Sequence, residues 1–379
     1  MKADLDIGTV SWRSVTAPIW VFAWLCLASF GPCQAAELEQ LLQKGHVPGL
    51  SFAVIRDGKI AELGALGTRD SATGMPVDEN TVFEAASLSK PVFAYAVLQL
   101  IDSGVLTLDT PLAKHVPDYV RNDPLAALVT VRDVLAQTSG LPNWSGWTTP
   151  LKVNFPPGSH FSYSGEGFLW LQRVVEATTG ENLNAVMTRL VFDPLGMKRT
   201  SYVWRADFET DHAVPHQGAV PRAKSRPTTP VAAYTLHTTA ADYASFLRAV
   251  LTGTRLKRST AKQWLSPQVE LFQRCIECLT SRATKVDQHV AWGLGWGLEP
   301  KQGAFFHWGD NGEFKAFATG SFAKRSAVVV LTNGSNGMAI MPEIIDHLLP
   351  GEHPAFAWLN YDRSTPSGGW LDWIRLRSD

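Results

Sequence analysis

The stretch FEAASLSKPVFAYAVLQL, Phe83 to Leu100, decides how the rest of the chain is read. After Pro91 every residue except Gln99 is Val, Phe, Ala, Tyr or Leu. A segment that is apolar almost all round is a buried helix. Yet Lys90 stands at its mouth, with Ser87 three residues earlier. Residues three apart share a helix face, so a helix that begins near Ser87 sets the Lys90 amine beside the Ser87 hydroxyl. A serine hydroxyl is a poor nucleophile until a base takes its proton. A lysine amine is such a base only when neutral, and burial shifts its pKa in that direction. The helix N-terminus adds backbone N–H groups and a positive dipole end for a developing oxyanion. The blander reading is that Ser87 only caps the helix and Lys90 snorkels to solvent.

Composition narrows the field. The chain has 379 residues, enough for one large domain or two modest ones, with 18% charged and 45% hydrophobic residues. With a net charge of −1, nothing suggests a nucleic-acid footprint. The fourteen tryptophans read as core and interface filler. Near the N-terminus, APIWVFAWLCLASF (Ala17 to Phe30) is uncharged, preceded by Lys2 and Arg13 and followed by the small Ala35 and Ala36. This predicts a secretory signal peptide over residues 1–36, and hence a periplasmic or secreted protein. The run is short for a bilayer span. Membrane contact is expected only through an uncleaved signal, or a lipid on Cys33 that the adjacent Pro32 disfavours. Cys26 and Cys33 would leave with the signal. Cys275 and Cys278, in RCIEC, remain as a structural disulfide or two inert thiols, because zinc would need about two further ligands. His212, His216, His237 and His289 lack metal-ligand spacing and read as structural. No metal or organic cofactor is expected.

Patterning suggests how the chain is organised. Ser51–Arg56, the Asp57-Gly58 turn and Lys59–Gly67 read as a hairpin. A mostly helical stretch follows, about 92–265. Thr130 with Asp133, and Thr239 with Asp242, mark helix starts of the capping-box kind. One helix should end at Gly180, one at Gly253, and one should be stopped by Pro194. The last third turns to short Gly-bounded β runs, WGLGWGLE, GAFFHWGD, FKAFATGSFA and AVVVLTN, before a closing helix in MAIMPEIIDHLL. Strands at both ends around inserted helices predict an α/β (α+β) fold: an antiparallel sheet flanked by helices, built from both chain ends, with a helical subdomain. The body is expected over 37–350, with a tail over 351–379. Two long loops, Asn143–Phe161 and Arg205–Ala233, are functional candidates.

Two further motifs bear on Ser87 and Lys90. FSYSGEGF puts Tyr163 at a helix start, where a neighbouring ammonium would lower its pKa and make it a proton shuttle. FFHWGDNGEFKAF puts His307, Trp308 and Gly309 on a strand whose edge can hold an acyl group, with Gly309 allowing close approach. These pieces, with LTLDTPLAKHVPDY, LAQTSGLP, PPGSH, FDPLGM and WGLGWGLE in the same order, resemble serine hydrolases of the β-lactamase and penicillin-binding-protein superfamily, in particular its class C β-lactamase and esterase branch. The resemblance runs from about Leu50 to about Thr332. It implies Ser87 as the acylated nucleophile, Lys90 as its base partner and Tyr163 as the proton shuttle. It also implies His307, Trp308 and Gly309 as the third motif, and the N–H groups of Ser87 and Asp310 as the oxyanion hole.

The sequence departs from that family at two places. The second motif usually ends in Asn, but Gly165 stands there and offers no side chain to the lysine or a substrate amide. Glu166 is a candidate replacement; otherwise it simply faces outward in the first helical turn. In the third motif His307 replaces the usual lysine, and a histidine mostly neutral at pH 7 is a weak clamp for a substrate carboxylate. Trp144, Trp147 and Trp308 are candidates for an aromatic wall. The expectation is therefore an exported serine hydrolase that works through an acyl-enzyme on small ester or amide substrates. The alternatives are a β-lactamase or D-alanyl/D-amino-acid peptidase acting on lactam or peptide substrates, and a non-catalytic peptidoglycan-binding module of the same fold.

Overall fold

The computed structural model describes residues 32–146, 150–273, 276–279 and 285–361. Strands β1 (Gly49–Arg56) and β2 (Lys59–Asp70) form the hairpin, with Asp57 at φ 51° and Gly58 at φ 75°. Two successive positive φ angles give the turn whose twist matches the strands it joins. The remaining strands in chain order are β3 (Met75–Pro76), β4 (Phe83–Glu84), β5 (His216–Gln217), β6 (Val220–Pro221), β7 (His237–Thr238), β8 (Val269–Gln273), β9 (Lys285–Trp292), β10 (Gly297–Glu299), β11 (Ala304–Asp310), β12 (Lys315–Ser321) and β13 (Ser326–Thr332). Seven of these join β1 and β2 in one nine-stranded antiparallel sheet, in the order β3-β2-β1-β13-β12-β11-β10-β9-β8. The first and last thirds of the chain meet where β1 pairs with β13, Leu50 opposite Thr332 and Val54 opposite Val328.

The helices are α1 (Pro32–Gly45), α2 (Ser89–Asp102), α3 (Val131–Leu135), α4 (Gly165–Thr179), α5 (Leu183–Met187), α6 (Asp193–Leu195), α7 (Ala240–Thr252), α8 (Arg258–Trp264), α9 (Gly337–Leu348) and α10 (Pro354–Trp358). Both faces of the sheet are covered, which is why β13 is a continuous apolar run instead of an alternating one. Val328 and Val330 pack with residues of α1, α9 and α10. Ala327, Val329 and Leu331 face the opposite core, shared with α2, α4 and α7. Among the described residues no helix is long and apolar enough to cross a membrane.

Several helix ends follow the sequence signals. Thr130 and Asp133 form a reciprocal capping box, and Gly180 (φ 71°) and Gly253 (φ 64°) close α4 and α7 in the left-handed conformation. Two do not. Pro194 does not stop its helix: it sits in the first turn of α6, and Gly196 (φ 70°) ends it. The helical run is continuous from α5 through a π-helical stretch over 188–192 into α6, so the chain passes through Pro194 in its last turn. Thr239 caps α7, but the Asp242 carboxylate turns away to accept from Arg199 N (2.7 Å) and Thr200 Oγ1 (2.8 Å). The run 17–30, Trp147, Cys275 and the tail beyond Tyr361 lie outside the described residues.

Leu331 lies fully buried in the central strand β13. Leu331→Ala is expected to lower the unfolding free energy by about 2–5 kcal/mol, read by chemical denaturation.

Candidate active site

Every residue from Thr81 to Leu100 is buried except Ser87. A 3-10 turn over Ala86–Leu88 carries it and runs straight into α2. Side chains three apart eclipse in such a turn, and Lys90 Nζ lies 3.1 Å from Ser87 Oγ. The turn is strained, for Ala86 has φ 48°, which a residue with a Cβ rarely adopts. Its surroundings hold it there. Ser89 Oγ donates to the Ala86 carbonyl and accepts from Leu236 N at 3.0 Å. The buried hydroxyls of Tyr202 and Tyr243 donate to the Ser89 and Leu88 carbonyls, at 2.6 and 3.1 Å.

Lys90 is wholly buried, and that burial brings its pKa down to about 7. Nζ donates to the Ala233 carbonyl at 2.9 Å, with the Tyr163 ring 4.7 Å away. A neutral amine has two N–H groups and one lone pair. With one N–H taken by Ala233, the lone pair can turn to the Ser87 hydroxyl. The Ala233 carbonyl therefore occupies the role left open by Gly165. No sequence signal marks it, because any residue type supplies a backbone carbonyl.

Tyr163 does not have the lowered pKa expected from an adjacent ammonium. Burial raises it well above the usual phenol value; the nearby Ser87 hydroxyl pulls the other way and Glu277 adds to the rise. The phenol thus stays protonated, a proton donor beside a near-neutral amine. Its hydroxyl makes no well-formed hydrogen bond among the described residues, and neither does His307 Nε2. His307 is held near pKa 3 by burial and by Lys90, so it is neutral. Its Nδ1 pairs with the Trp308 carbonyl at 2.8 Å, which leaves Nε2 as a bare acceptor.

Strand β11 supplies an open edge. Asn311 N donates to the Phe314 carbonyl, so odd-numbered residues of β11 bond to β12 and even-numbered ones point their backbone groups the other way. Strand β10 covers that second edge only as far as Phe306, opposite Gly297. The N–H and C=O of Trp308 and the N–H of Asp310 are thus directed beyond its end. Gly309 brings the strand against the Ser87 turn: a Cβ there would lie 2.4 Å from the Ala85 carbonyl oxygen. The Asp310 side chain pairs with Lys315.

Gly165 and Glu166 behave differently from either expectation. A Cβ on Gly165 would lie 2.6 Å from Trp144 Cη2 and 2.8 Å from the Asn143 carbonyl oxygen, so an indole fills the space of the absent side chain. Glu166 neither faces outward nor replaces the motif Asn. It is buried, accepting from Ser145 N (2.8 Å), Ser145 Oγ (2.6 Å) and Tyr119 OH (2.8 Å). It ties the Asn143–Ser145 loop to α4.

A buried ionic cluster that no motif announced lies beside the turn. Lys224 Nζ donates to Glu84, to His237 Nε2 (3.0 Å) and to the Ser225 carbonyl (3.0 Å). Burial lowers the Lys224 pKa most and Glu84 pulls it back in part, so it stays below the ordinary lysine value. Glu84 would be raised by burial, yet Lys224 and His237 hold it below the ordinary carboxylate range. His237, near pKa 4 mainly from burial, gives its Nδ1–H to the Thr235 carbonyl. The other oxygen of Glu84 accepts from Asn311 at 3.0 Å. One ion pair thus joins the strand before Ser87, the turn after Asp310 and the Arg205–Ala233 loop. His212 and His216 bond to the carbonyls of Phe208 and Asn333; the His289 side chain lies outside the described residues. Cys278 is disulfide-bonded.

Lys224→Met strands Glu84 as an unpaired buried carboxylate. It should cost about 3–5 kcal/mol, and adding Glu84→Gln should recover most of that in thermal or denaturant unfolding. Lys90 carries the opposite sign. Below about pH 7 its amine is charged inside the fold, and the cost fades as pH rises to the unfolded value near pH ~10. The gain in stability of Lys90→Met over the native chain should therefore be larger at pH 6 than at pH 10, and equal gains at both would refute that burial cost.

The family model described as Beta-lactamase matches residues 35–348. The chain is 27% identical to Penicillin-binding protein 4 of Amycolatopsis lactamdurans, over 83% of this chain and 88% of that protein. It is 25% identical to Protein flp of Staphylococcus aureus strain MRSA252, over 82% of this chain but 64% of that longer protein. In fold it is similar to the octameric penicillin-binding protein homologue from Pyrococcus abyssi (TM-score 0.69, 20% identity, 84% of this chain and 77% of that one). It is equally similar to the D-alanine carboxypeptidase AmpC from Burkholderia cenocepacia (TM-score 0.69, 19% identity, 83% and 97%). With the family match spanning most of its length, the chain belongs to the Beta-lactamase family, a family of serine hydrolases.

Proposed function

We propose that the protein is an exported serine hydrolase that cleaves small esters or amides through an acyl-enzyme on Ser87. The observation that carries this reading is the wholly buried Lys90, its pKa near 7, with Nζ 3.1 Å from Ser87 Oγ and a second bond to the Ala233 carbonyl. In this mechanism the Ser87 proton passes to Lys90 as Oγ bonds to the substrate carbonyl carbon. The N–H groups of Ser87 and Asp310 receive the negative carbonyl oxygen. Collapse breaks the bond to the leaving alcohol or amine, which takes a proton from the Tyr163 phenol; Lys90 returns its proton to the phenolate. Water then attacks the ester on Ser87 with Lys90 as base, releasing the acid and restoring Ser87.

The electrostatics favour substrates without a carboxylate. His307 is neutral, and the nearby cations Lys224 and Lys315 already pair with Glu84 and Asp310. The second reading, a β-lactam or D-alanyl peptide substrate, is supported by the likeness to Penicillin-binding protein 4. Export is supported by the uncharged Ala17–Phe30 run and by the Cys278 disulfide, which suits an oxidising compartment.

The test follows a short-chain p-nitrophenyl ester and a chromogenic cephalosporin in parallel. Ester kcat/KM should rise with pH to a plateau above about 7, as Lys90 loses its proton. Ser87→Ala should lose about 10³-fold or more, and a fluorophosphonate should label only the native serine. Faster cephalosporin than ester turnover would establish the second reading. No turnover and no label would leave a non-catalytic binding module.

A further inference from the structure

Between Asp242 and Glu270 the chain runs 27 residues without an acid, although Asp and Glu together number 35 in 379. The same stretch carries five cations, Arg248, Arg255, Lys257, Arg258 and Lys262, and all five are exposed. Folding gathers them on one corner of the helical subdomain. Arg248 lies about one turn before the end of α7. Gly253 stops that helix, and a Cβ on it would lie 2.8 Å from Ala261 Cβ of α8, so the two helices meet closely there. Arg258 and Lys262 are four apart on α8 and share a face. Arg255 and Lys257, between the helices, are braced by the end of α2. Arg255 Nε donates to Gln99 Oε1 (3.2 Å) and Lys257 Nζ to the Asp102 carbonyl (2.7 Å).

These charges are not neutralised within the fold. Other arginines meet a carboxylate, as Arg132 meets Asp109, Arg189 meets Glu181 and Arg226 meets Glu209. Among the described residues none of the five forms an ion pair. Asp102 touches the corner, but its carboxylate accepts from Lys257 N (2.6 Å) and Thr260 Oγ1 (2.5 Å). Local preferences oppose the cations as well. Arg255 has φ 63°, a conformation that suits glycine or asparagine. Lys257 and Arg258 open α8, where the helix dipole favours acids. Cations placed against local preference and left unpaired point to a partner outside the chain.

We propose that this corner docks on an anionic phospholipid bilayer. Five cations spread over two helices and a turn match a surface of many charges, and each adds to the attraction within a Debye length of it. Their aliphatic stems suit the interface while their heads reach the phosphates. Val105, 44% exposed, stands three residues after Asp102 and offers apolar contact of the kind a bilayer interface takes up. A single-stranded nucleic acid needs stacking rings, but Tyr243, Phe246 and Trp264, the aromatic residues of this stretch, are buried. The docked protein keeps Ser87 free. Ser87 precedes the N-terminus of α2 and the corner braces its C-terminus, roughly 20 Å away along the helix. The proposal does not depend on the chemistry at Ser87.

The experiment titrates the full chain with vesicles of phosphatidylcholine alone and of phosphatidylcholine with phosphatidylglycerol, and reads the ratio of the two partition coefficients. Binding through the uncharged Ala17–Phe30 run is common to both vesicles, so the ratio isolates charge. It should be about 30 or more, and fall toward unity between about 0.05 and about 0.5 M salt. The triple variant Arg248→Gln, Arg258→Gln, Lys262→Gln should lower it at least tenfold. The triple Lys59→Gln, Lys114→Gln, Lys301→Gln removes the same charge from exposed lysines elsewhere and should lower it less than threefold. None of these six side chains makes a hydrogen bond or ion pair among the described residues, so both triples should keep the native thermal midpoint. A native ratio near unity would overturn the proposal. Equal losses in the two triples would also overturn it, because net charge alone would then explain the binding. Dextran sulfate separates a soluble polyanion from a bilayer. Val105→Ser should weaken binding to the phosphatidylglycerol vesicles at least twofold and leave dextran sulfate binding unchanged. Tighter binding of dextran sulfate than of those vesicles at equal charge, with no effect of Val105→Ser on either, would overturn the bilayer as occupant.

Discussion

The site depends on keeping one amine dry. Lys90 sits at the mouth of a helix buried on every side, and among the described residues no carboxylate pairs with it. A carboxylate partner would have favoured the charged form and removed the lone pair. A single backbone carbonyl, that of Ala233, accepts one N–H without adding a full charge. The consequence is an amine near neutrality at physiological pH beside the one solvent-reachable residue of the segment. The fold loses some stability by this arrangement, and functional sites commonly show that trade.

The same economy of charge holds around the turn. Tyr202 and Tyr243 satisfy the carbonyls that follow Ser87, and neither is ionisable at ordinary pH because both are buried. The strained Ala86 survives because several bonds converge on it at once. Where full charges do occur, they are matched: the Lys224 ammonium meets three acceptors, and Glu84 meets Lys224 and Asn311. That cluster joins three segments far apart in sequence, so the Ser87 turn and the β11–β12 turn are set by one common strut. Such clusters suit fixing a geometry better than adding stability, since apolar packing of similar volume is often no less stable.

Gly165 shows how a missing side chain is absorbed. The volume is taken by an indole, the hydrogen bond by a loop carbonyl, and the acid next door is used to anchor the loop that brings the indole. Each contribution is made by a different segment. A point departure from a family motif is thus answered by tertiary contacts instead of by a neighbouring residue in sequence.

Much was legible in the chain itself. The helix apolar on all sides, the Asp57-Gly58 turn, the Thr130–Asp133 capping box and the β-rich last third are local patterns, and local sterics and periodicity act over a few residues. Strands at both ends with helices between them already implied one sheet built from both chain ends, while the pairing of β1 with β13 was decided by the fold. The proximity of Ser87 and Lys90 was legible for the same reason, being three residues of one turn. What only the tertiary structure decided were relations between distant segments. Glu166 was expected to serve the lysine or to face outward, and it anchors a loop, because Ser145 and Tyr119 arrive from elsewhere. Tyr163 was expected to be acidified by an ammonium, and it is not, because burial acts on the phenol and the amine together. Ala233 and Lys224 carried no signal at all. A backbone carbonyl looks the same in every residue, and the worth of a charge is set by the dielectric and partners that folding places around it.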